Sequence, residues 1–218
     1  IVALLIGIAI EEGKIKSLDE PVANYIPEFK TDGKEKVTIR HLLMMASGLS
    51  WHESGSNPLS DNAASYYGSD LYGLVSVQTV ERKPGQTFIY QSGNTQLLGF
   101  ILKKATGMSV AAYTEAKIWK KIGAESEAHW SLDREEGDEK AFCCLYATAR
   151  DFGRLGKLIL QNGKWEGNQI IPLWYMKEMF EIPELITDEG VKNQRYGLHI
   201  WTYREDKTPV YYCRGIKG

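Results

Sequence analysis

Hydrophobic residues recur along most of this chain at the spacing of helices, beginning with its first ten residues. The run from Ile1 to Ile10 is apolar and is followed by two glutamates and Gly13. Glycine commonly caps the C-terminus of a helix, so this pattern predicts a buried helix that ends near Gly13. A membrane span is the alternative, but such a run is about half of the roughly 20 residues that cross a bilayer. A signal peptide fits poorly too, since no basic residues precede the run and no small-residue cleavage site follows it.

The same criteria predict further helices in the middle of the chain and strands near its end. Helix boundaries follow from capping residues such as Thr38 and Thr148 and from stops such as Gly48 and Gly107. The predicted helical segments are 38–48, 61–75, a stretch through Leu102 that is capped near Gly107, 110–118, 148–161 and 172–180. Alternating and aromatic residues predict a strand over 196–203, with 210–213 as its hairpin partner.

A polar turn with a tyrosine lies directly before the helix that is capped near Gly107. The segment from Pro84 to Gly99 has the sequence PGQTFIYQSGNTQLLG. Its Pro-Gly pair marks the end of one element, and the Gln-Ser-Gly-Asn run has the composition of a turn. Tyr90 is thereby predicted to lie on a loop directly before the N-terminus of a helix. A phenol in such a place can act as a general base when a nearby cation lowers its pKa; a loop tyrosine that only packs by its ring is the alternative.

Four sequence blocks together resemble one family of enzymes. Besides the segment around Tyr90, they are VTIRHLLMMASGL from Val37 to Leu49, the stretch from Leu97 to Gly107, and ATARDFGRLG from Ala147 to Gly156. The blocks are similar to motifs of the serine β-lactamases and penicillin-binding-type enzymes, in particular the class C, esterase and 6-aminohexanoate-dimer hydrolase branch. Each block alone is a weak guide, because apolar helices that end in glycine are common. The four blocks occur in the same order as in the family and extend over almost the whole chain, which makes the resemblance specific.

The resemblance implies a nucleophile that these residues do not contain. Enzymes of this family attack with the serine of a Ser-x-x-Lys motif at the start of a helix, where the lysine accepts the hydroxyl proton. No such motif stands at the corresponding place, and the run from Ile1 to Ile10 resembles the remainder of that helix. We therefore expect the serine and the lysine a few residues upstream of Ile1. The sequence is interpreted as a fragment, a partial domain over 1–218.

The fold class that the resemblance implies is α+β, of the β-lactamase/transpeptidase-like kind. An antiparallel sheet flanked by helices packs in that fold against a mostly helical subdomain, with the active site between the two. We expect this chain to cover the helical subdomain, to contribute the first sheet strands at about 195–218, and to be incomplete at both ends.

The resemblance also assigns catalytic positions after the tyrosine. Tyr90 corresponds to the family's tyrosine, and the expected asparagine position falls on Ser92, with Asn94 two residues further on. Either side chain can exchange a hydrogen bond with the upstream lysine or with a substrate amide. Ser92 is the first choice by register and Asn94 the second. A role for Ser92 in the turn alone is the alternative.

The family's third element, Lys-Thr-Gly or His-x-Gly on an inner strand, corresponds to the end of this chain. The sequence there is CRGIKG, in which only the glycine keeps an obvious register. Gly215 would let the strand approach the acyl group, and the backbone N–H of Ile216 would supply half of an oxyanion hole. Arg214 is a candidate for binding a substrate carboxylate or for lowering the pKa of Tyr90. An exposed arginine at a strand edge is the alternative.

The implied reaction is acyl transfer through a covalent intermediate, with a small-molecule amide or ester as the substrate. Candidate substrate-binding residues are Trp51, His52, Trp130 and Tyr67, and a place in the core is the alternative for each. Tyr67 could belong to an aromatic stripe on the predicted helix over 61–75, which is formed by Tyr66, Tyr67, Leu71, Tyr72 and Val75. The sequence after Tyr90 and the chain's ending are most similar to the 6-aminohexanoate-dimer hydrolase and esterase branch. A β-lactamase or D-peptidase of the same family is an alternative, weakened by the lack of Lys-Thr-Gly. A non-catalytic, penicillin-recognition-like binding module is an alternative of another class.

Composition excludes some further classes of protein. The 218 residues are 43% hydrophobic and 25% charged, which suffices for one sizeable core. A formal net charge of −2 without a basic stripe gives no indication that the chain binds nucleic acid. Cys143, Cys144 and Cys213 match neither a zinc pattern nor a disulfide framework and are predicted to be buried small apolar residues. The histidines lack ligand spacing, so neither a metal nor a cofactor is expected. The compartment and the oligomeric state stay open.

Overall fold

The computed structural model describes residues 1–203 and 208–215. Eight α-helices lie within these ranges: α1 (Val2–Glu11), α2 (Ile39–Leu43), α3 (Asp61–Tyr67), α4 (Leu71–Ser76), α5 (Ser92–Thr106), α6 (Val110–Thr114), α7 (Ala149–Leu160) and α8 (Leu173–Phe180). A π-helical turn over Glu115–Trp119 continues α6. The predicted helix over 110–118 is therefore present, but it changes from α-helical to π-helical hydrogen bonding within the segment. Short 3₁₀ turns over Val22–Asn24, Pro27–Phe29 and Lys34–Lys36 connect α1 to α2.

The strands are short and pair two by two. They are β1 (Thr87–Phe88), β2 (His129–Trp130), β3 (Leu145–Tyr146), β4 (Lys164–Trp165), β5 (Asn168–Gln169), β6 (Ile186–Thr187), β7 (Trp201–Tyr203) and β8 (Val210–Tyr212). The β1–β6 pair is parallel, whereas β2–β3, β4–β5 and β7–β8 are antiparallel. The predicted hairpin of β7 and β8 is confirmed, but its first strand is shorter than predicted, because only Trp201–Tyr203 of the segment 196–203 forms β7. The strands before it were not predicted, because two residues are too few to show an alternating pattern.

Helix α1 lies in the core, as predicted. All residues from Val2 to Ala9 are buried, and the helix packs against α5 and α6. Tyr175 of α8 covers another side of α1: its hydroxyl donates a hydrogen bond of 2.6 Å to the Ala3 carbonyl, and a Cβ at Gly7 would overlap its ring. No helix among the described residues is at once long enough and apolar enough to span a membrane.

Capping groups set several helix ends where the sequence predicts them. The Thr38 hydroxyl accepts a hydrogen bond of 3.3 Å from the backbone N–H of His41, and Thr148 accepts one of 3.2 Å from Asp151. Gly107 ends α5 with a φ of 71°, a conformation that glycine adopts at little cost. These predicted caps are confirmed.

The single helix predicted over 61–75 is wrong, because it is broken into α3 and α4. The backbone of Gly68 is extended there, and the Asp70 carboxylate accepts a hydrogen bond of 2.9 Å from the N–H of Gly73, which caps the second helix. Tyr67 is 92% exposed, so the aromatic stripe does not belong to the core at this position.

The cysteines differ from the prediction of three buried apolar side chains. Cys143 and Cys144 are only partly buried and form a disulfide with each other, and Cys213 is an exposed thiol. Neighbouring cysteines do not have the spacing of a disulfide framework, so the sequence did not predict this bridge.

His199 connects three parts of the fold. Its Nδ1 lies 2.9 Å from the Leu43 carbonyl oxygen, which can only accept, so this nitrogen carries the hydrogen. Its Nε2 then accepts a hydrogen bond of 2.8 Å from the Thr95 hydroxyl. The bond from Thr95 requires an unprotonated Nε2, and burial lowers the pKa of His199 from 6.5 to about 4.

This pKa predicts that acid destabilises the protein. Between pH 6.5 and about 4 the unfolded chain binds a proton at His199 that the folded protein does not bind. The free energy of unfolding therefore falls as the pH is lowered through this window, by on the order of 2 kcal/mol for a partly exposed ring. Urea unfolding at several pH values should show this loss in the wild type and a smaller one in His199→Asn, which tolerates the positive φ of this position. Equal losses in the two proteins would contradict the assignment.

Candidate active site

Tyr90 lies on the loop between β1 and α5. The N–H of Ile89 donates a hydrogen bond of 2.8 Å to the Met45 carbonyl, which ties the loop to the segment after α2. The phenol ring stacks on Trp201 of β7 with 5.9 Å between centroids and meets Tyr196 edge-on at 6.0 Å. The side chain is 40% exposed, so its ring is held in place while part of the residue remains open to solvent.

The pKa of Tyr90 is raised above its ordinary value. Burial is the largest cause, and the Glu53 carboxylate, Tyr66 and Cys213 add smaller contributions of the same sign. The phenol therefore keeps its proton at neutral pH. The expected lowering by a nearby cation is not found among residues 1–203 and 208–215, because a carboxylate stands beside the ring instead.

Glu53 joins the Tyr90 loop to a neighbouring segment, and sequence reasoning missed it. Its Oε2 accepts hydrogen bonds from the Trp51 indole N–H and from the backbone N–H of Ser92, both at 2.7 Å. Its Oε1 accepts a hydrogen bond from the Ser92 hydroxyl, also at 2.7 Å. Because Ser92 begins α5, the carboxylate also complements the positive end of the helix dipole. The signal in the sequence was that Glu53 lies two residues after Trp51, a predicted substrate-binding residue.

Ser92 and Asn94, the two alternatives for the hydrogen-bonding position, have different surroundings. Both lie in the first turn of α5, where a turn was predicted. Ser92 is partly buried and is bonded to Glu53. Asn94 is buried, its Nδ2 lies 3.5 Å from the Met45 sulfur, and its Oδ1 has no hydrogen-bond partner within the described part of the chain. Ser92 thus contacts a residue that lines the cleft beside Tyr90, whereas Asn94 contacts Met45, which anchors the Tyr90 loop through Ile89.

A cleft of about 820 Å³ opens beside Tyr90. It is lined by residues 50–53, 81–82, 88–91 and 187–189. Two of the predicted wall residues are among them. Trp51 is buried, and its ring packs so closely on Gly93 that a Cβ there would lie 2.5 Å from the ring. His52 is exposed, with its backbone N–H bonded to the Asp61 carboxylate at 2.6 Å.

Trp130 is not among the residues that line this cleft, and its predicted substrate-binding role stays a prediction. It lies on β2, where its indole N–H is shared between the carbonyls of Lys140 at 2.9 Å and Cys143 at 2.7 Å. Those bonds hold the ring against its own hairpin, which accounts for its position.

The predicted residues at the end of the chain are placed in part. Arg214 and Gly215 follow β8 and are exposed, and Ile216 lies outside the described residues. Tyr212 of β8 stacks on Trp201, which in turn stacks on Tyr90, so this end of the chain lies close to the tyrosine loop. The roles of Arg214, Gly215 and Ile216 stay predictions. Within the described residues there is no group of three or more His, Cys, Asp or Glu side chains that could hold a metal ion.

A family model described as beta-lactamase matches residues 1–213, which include the whole of the Tyr90 loop and its cleft. The chain belongs to the beta-lactamase family. The predicted resemblance to serine β-lactamases and penicillin-binding-type enzymes is thereby confirmed, and with it membership in a family of serine hydrolases.

Characterised relatives of this β-lactamase-family chain are longer than it is. The 6-aminohexanoate-dimer hydrolase of Paenarthrobacter ureafaciens is 25% identical over 199 residues, which are 85% of this chain and 50% of that protein. The esterase EstB of Burkholderia gladioli is 30% identical over 135 residues, which are 56% of this chain and 34% of the esterase. The chain therefore spans half or less of the length of these relatives.

Solved structures of the family share the fold. A Bacillus anthracis protein provisionally named a 6-aminohexanoate-dimer hydrolase is 28% identical with a TM-score of 0.80, over 92% of this chain and 55% of that one. A penicillin-binding protein from Bacillus halodurans is 19% identical with a TM-score of 0.71, over 96% of this chain and 70% of that one. The predicted α+β, β-lactamase/transpeptidase-like fold is confirmed.

Proposed function

We propose that the protein that contains this chain is a serine hydrolase, which forms an acyl-enzyme from a small-molecule amide or ester. The observation that carries the proposal is the position of Tyr90, a partly exposed phenol held by Trp201 and Tyr196 beside a cleft of about 820 Å³. Membership in the β-lactamase family supports the serine chemistry. The named activities of the relatives favour a linear amide or an ester as the substrate.

The nucleophilic serine and its lysine belong, in this proposal, upstream of Ile1. The placement of α1 supports that position. Helix α1 packs against α5, the helix that begins two residues after Tyr90. A serine at the start of this helix would stand near the phenol and near the positive end of the helix dipole.

The serine hydroxyl attacks the carbonyl carbon of the substrate, and its proton passes by way of the lysine and Tyr90 to the leaving nitrogen or oxygen. The C–N or C–O bond then breaks, the amine or alcohol leaves, and water hydrolyses the acyl-serine ester. The N–H groups of the serine and of Ile216 hold the oxyanion, with Gly215 allowing close approach and Arg214 binding a substrate carboxylate. The raised pKa of Tyr90 suits a phenol that carries a proton before it donates to the leaving group.

The test is covalent labelling of the complete gene product that contains this chain. A fluorophosphonate should form an adduct on a serine of a Ser-x-x-Lys motif just before Ile1, located by mass spectrometry, and the protein should hydrolyse a p-nitrophenyl ester or a linear 6-aminohexanoate dimer. Turnover of a β-lactam or of a D-alanyl-D-alanine peptide alone would replace the proposal with the β-lactamase or D-peptidase alternative. A folded protein with neither adduct nor turnover would overturn it in favour of a binding module.

A further inference from the structure

The Glu53 carboxylate accepts hydrogen bonds from residues on both sides of the Tyr90 loop. The Trp51 indole donates from the wall of the cleft, and the backbone and hydroxyl of Ser92 donate from the start of α5, each at 2.7 Å. Hydrogen bonds of this length to a charged acceptor are among the stronger ones in proteins. One carboxylate thus ties the cleft wall to the helix that begins two residues after Tyr90.

Neighbouring contacts reinforce the same junction. The Gln91 side-chain amide donates hydrogen bonds to the carbonyls of Leu49 at 2.9 Å and Trp51 at 3.0 Å, and Gly93 lies directly against the Trp51 ring. The three residues after Tyr90 therefore all bond to or pack on the segment 49–53. Glu53 contributes the charged group of this junction.

The groups that pack on Tyr90 or act on its charge come from four parts of the described chain, and the charged residues Glu81, Arg82, Asp188 and Glu189 line the same cleft. Glu53 precedes α3, Tyr66 lies on α3, Tyr196 precedes β7, and Cys213 follows β8. Glu53 is the carboxylate among these four groups, whereas the others are phenols and a thiol. A negative charge beside a phenol disfavours the phenolate.

We propose that Glu53 is a positioning residue of the active site, whose carboxylate fixes the Tyr90 loop against the Trp51 wall and places a negative charge beside the phenol. The inference rests on the proposed function in so far as Tyr90 transfers a proton there. The Glu53 charge then adds to burial in disfavouring the tyrosinate form of Tyr90. Without its charge, the tyrosinate would form at lower pH.

Nuclear magnetic resonance of the gene product with ¹³Cζ-labelled tyrosine tests this directly. The Tyr90 signal is assigned by its loss in Tyr90→Phe, and its titration is compared between the wild type and Glu53→Gln. We expect the midpoint in Glu53→Gln to move to lower pH by about half a unit or more, and kcat to fall by about 10-fold. The titration needs no turnover, so a failure of the hydrolase proposal would leave it interpretable.

Glu20 offers a matched control. Its carboxylate also accepts three hydrogen bonds, from the Lys16 N–H at 2.7 Å, the Asn24 amide at 2.9 Å and the Tyr25 hydroxyl at 2.8 Å, but it does not line the cleft. Glu20→Gln should leave the Tyr90 titration unchanged. A folded Glu53→Gln protein with the wild-type titration would overturn the proposal.

Ser92→Ala separates the two parts of the inference. It keeps the Glu53 charge and removes one of the three hydrogen bonds. The Tyr90 signal should broaden or shift, because the loop is held less firmly, while its titration midpoint stays near the wild-type value. A Tyr90 signal identical to that of the wild type would contradict the positioning role, and this readout serves even where Glu53→Gln does not fold.

Discussion

Tyr90→Phe is expected to lower kcat for ester or amide hydrolysis by about 10²- to 10⁴-fold, the range typical of a lost acid–base group. The phenylalanine ring can keep its packing on Trp201 and Tyr196, so the melting temperature should change little. Only the hydroxyl that carries the proton is removed. The measurement is kcat for the complete gene product, followed by p-nitrophenol release or by chromatography of the amide product.

Tyr72→Phe is the control for this experiment. Its hydroxyl donates a hydrogen bond of 2.7 Å to Glu28, and neither residue lines the cleft. This variant should keep the wild-type kcat. If Tyr90→Phe also kept it while a serine adduct still formed, Tyr90 would have no part in proton transfer, although the hydrolase proposal would stand.

Gly48→Ala is expected to destabilise the protein by about 3 kcal/mol. Gly48 has a φ of 74°, which disfavours any side chain, and a Cβ there would overlap the carbonyl oxygen of Arg82. The backbone cannot simply move away, because the N–H groups of Glu81 and Arg82 donate hydrogen bonds of 2.9 Å and 3.1 Å to the Gly48 carbonyl. Since residues 81–82 line the cleft, the substitution should also disturb it. Urea unfolding measures the loss.

Gly156→Ala provides the opposite expectation in the same assay. Gly156 lies inside α7 without a positive φ, and a Cβ there meets nothing within 4 Å. Alanine should therefore stabilise the helix by about 0.5–1 kcal/mol. Equal stability of Gly48→Ala and the wild type would show that the close approach at Arg82 can relax, contrary to the backbone argument.

Several helix ends were predictable from the sequence because their caps are local, but the stop predicted at Gly48 was wrong, since α2 ends at Leu43. The groups that cap α2, α5 and α7 belong to residues within a few positions of one another, as at Thr38, Thr148 and Gly107. The break at Gly68 was equally local, with Asp70 as the cap. It was missed because the apolar spacing of Leu71 and Val75 continued the pattern across the gap.

The candidate site was predictable where a local motif carries it and not where distant residues meet. Tyr90 stands in a turn before a helix, and both features follow from adjacent residues. Glu53 contacts Ser92 across 39 positions, and no periodicity encodes such a pair. Trp130 illustrates the same limit, since an aromatic residue in the sequence does not reveal whether its indole faces a cleft or the carbonyls of its own hairpin.

The contact between Tyr175 and α1 has a consequence for synthesis on the ribosome. The hydroxyl of Tyr175 bonds to a carbonyl that leaves the ribosome 172 residues earlier. At typical elongation rates, the face of α1 beside Ala3 and Gly7 must wait roughly ten to thirty seconds for its partner. During that interval an almost wholly aliphatic helix stays partly uncovered in the nascent chain. The segment 1–10 is therefore expected to expose apolar side chains until residue 175 has emerged.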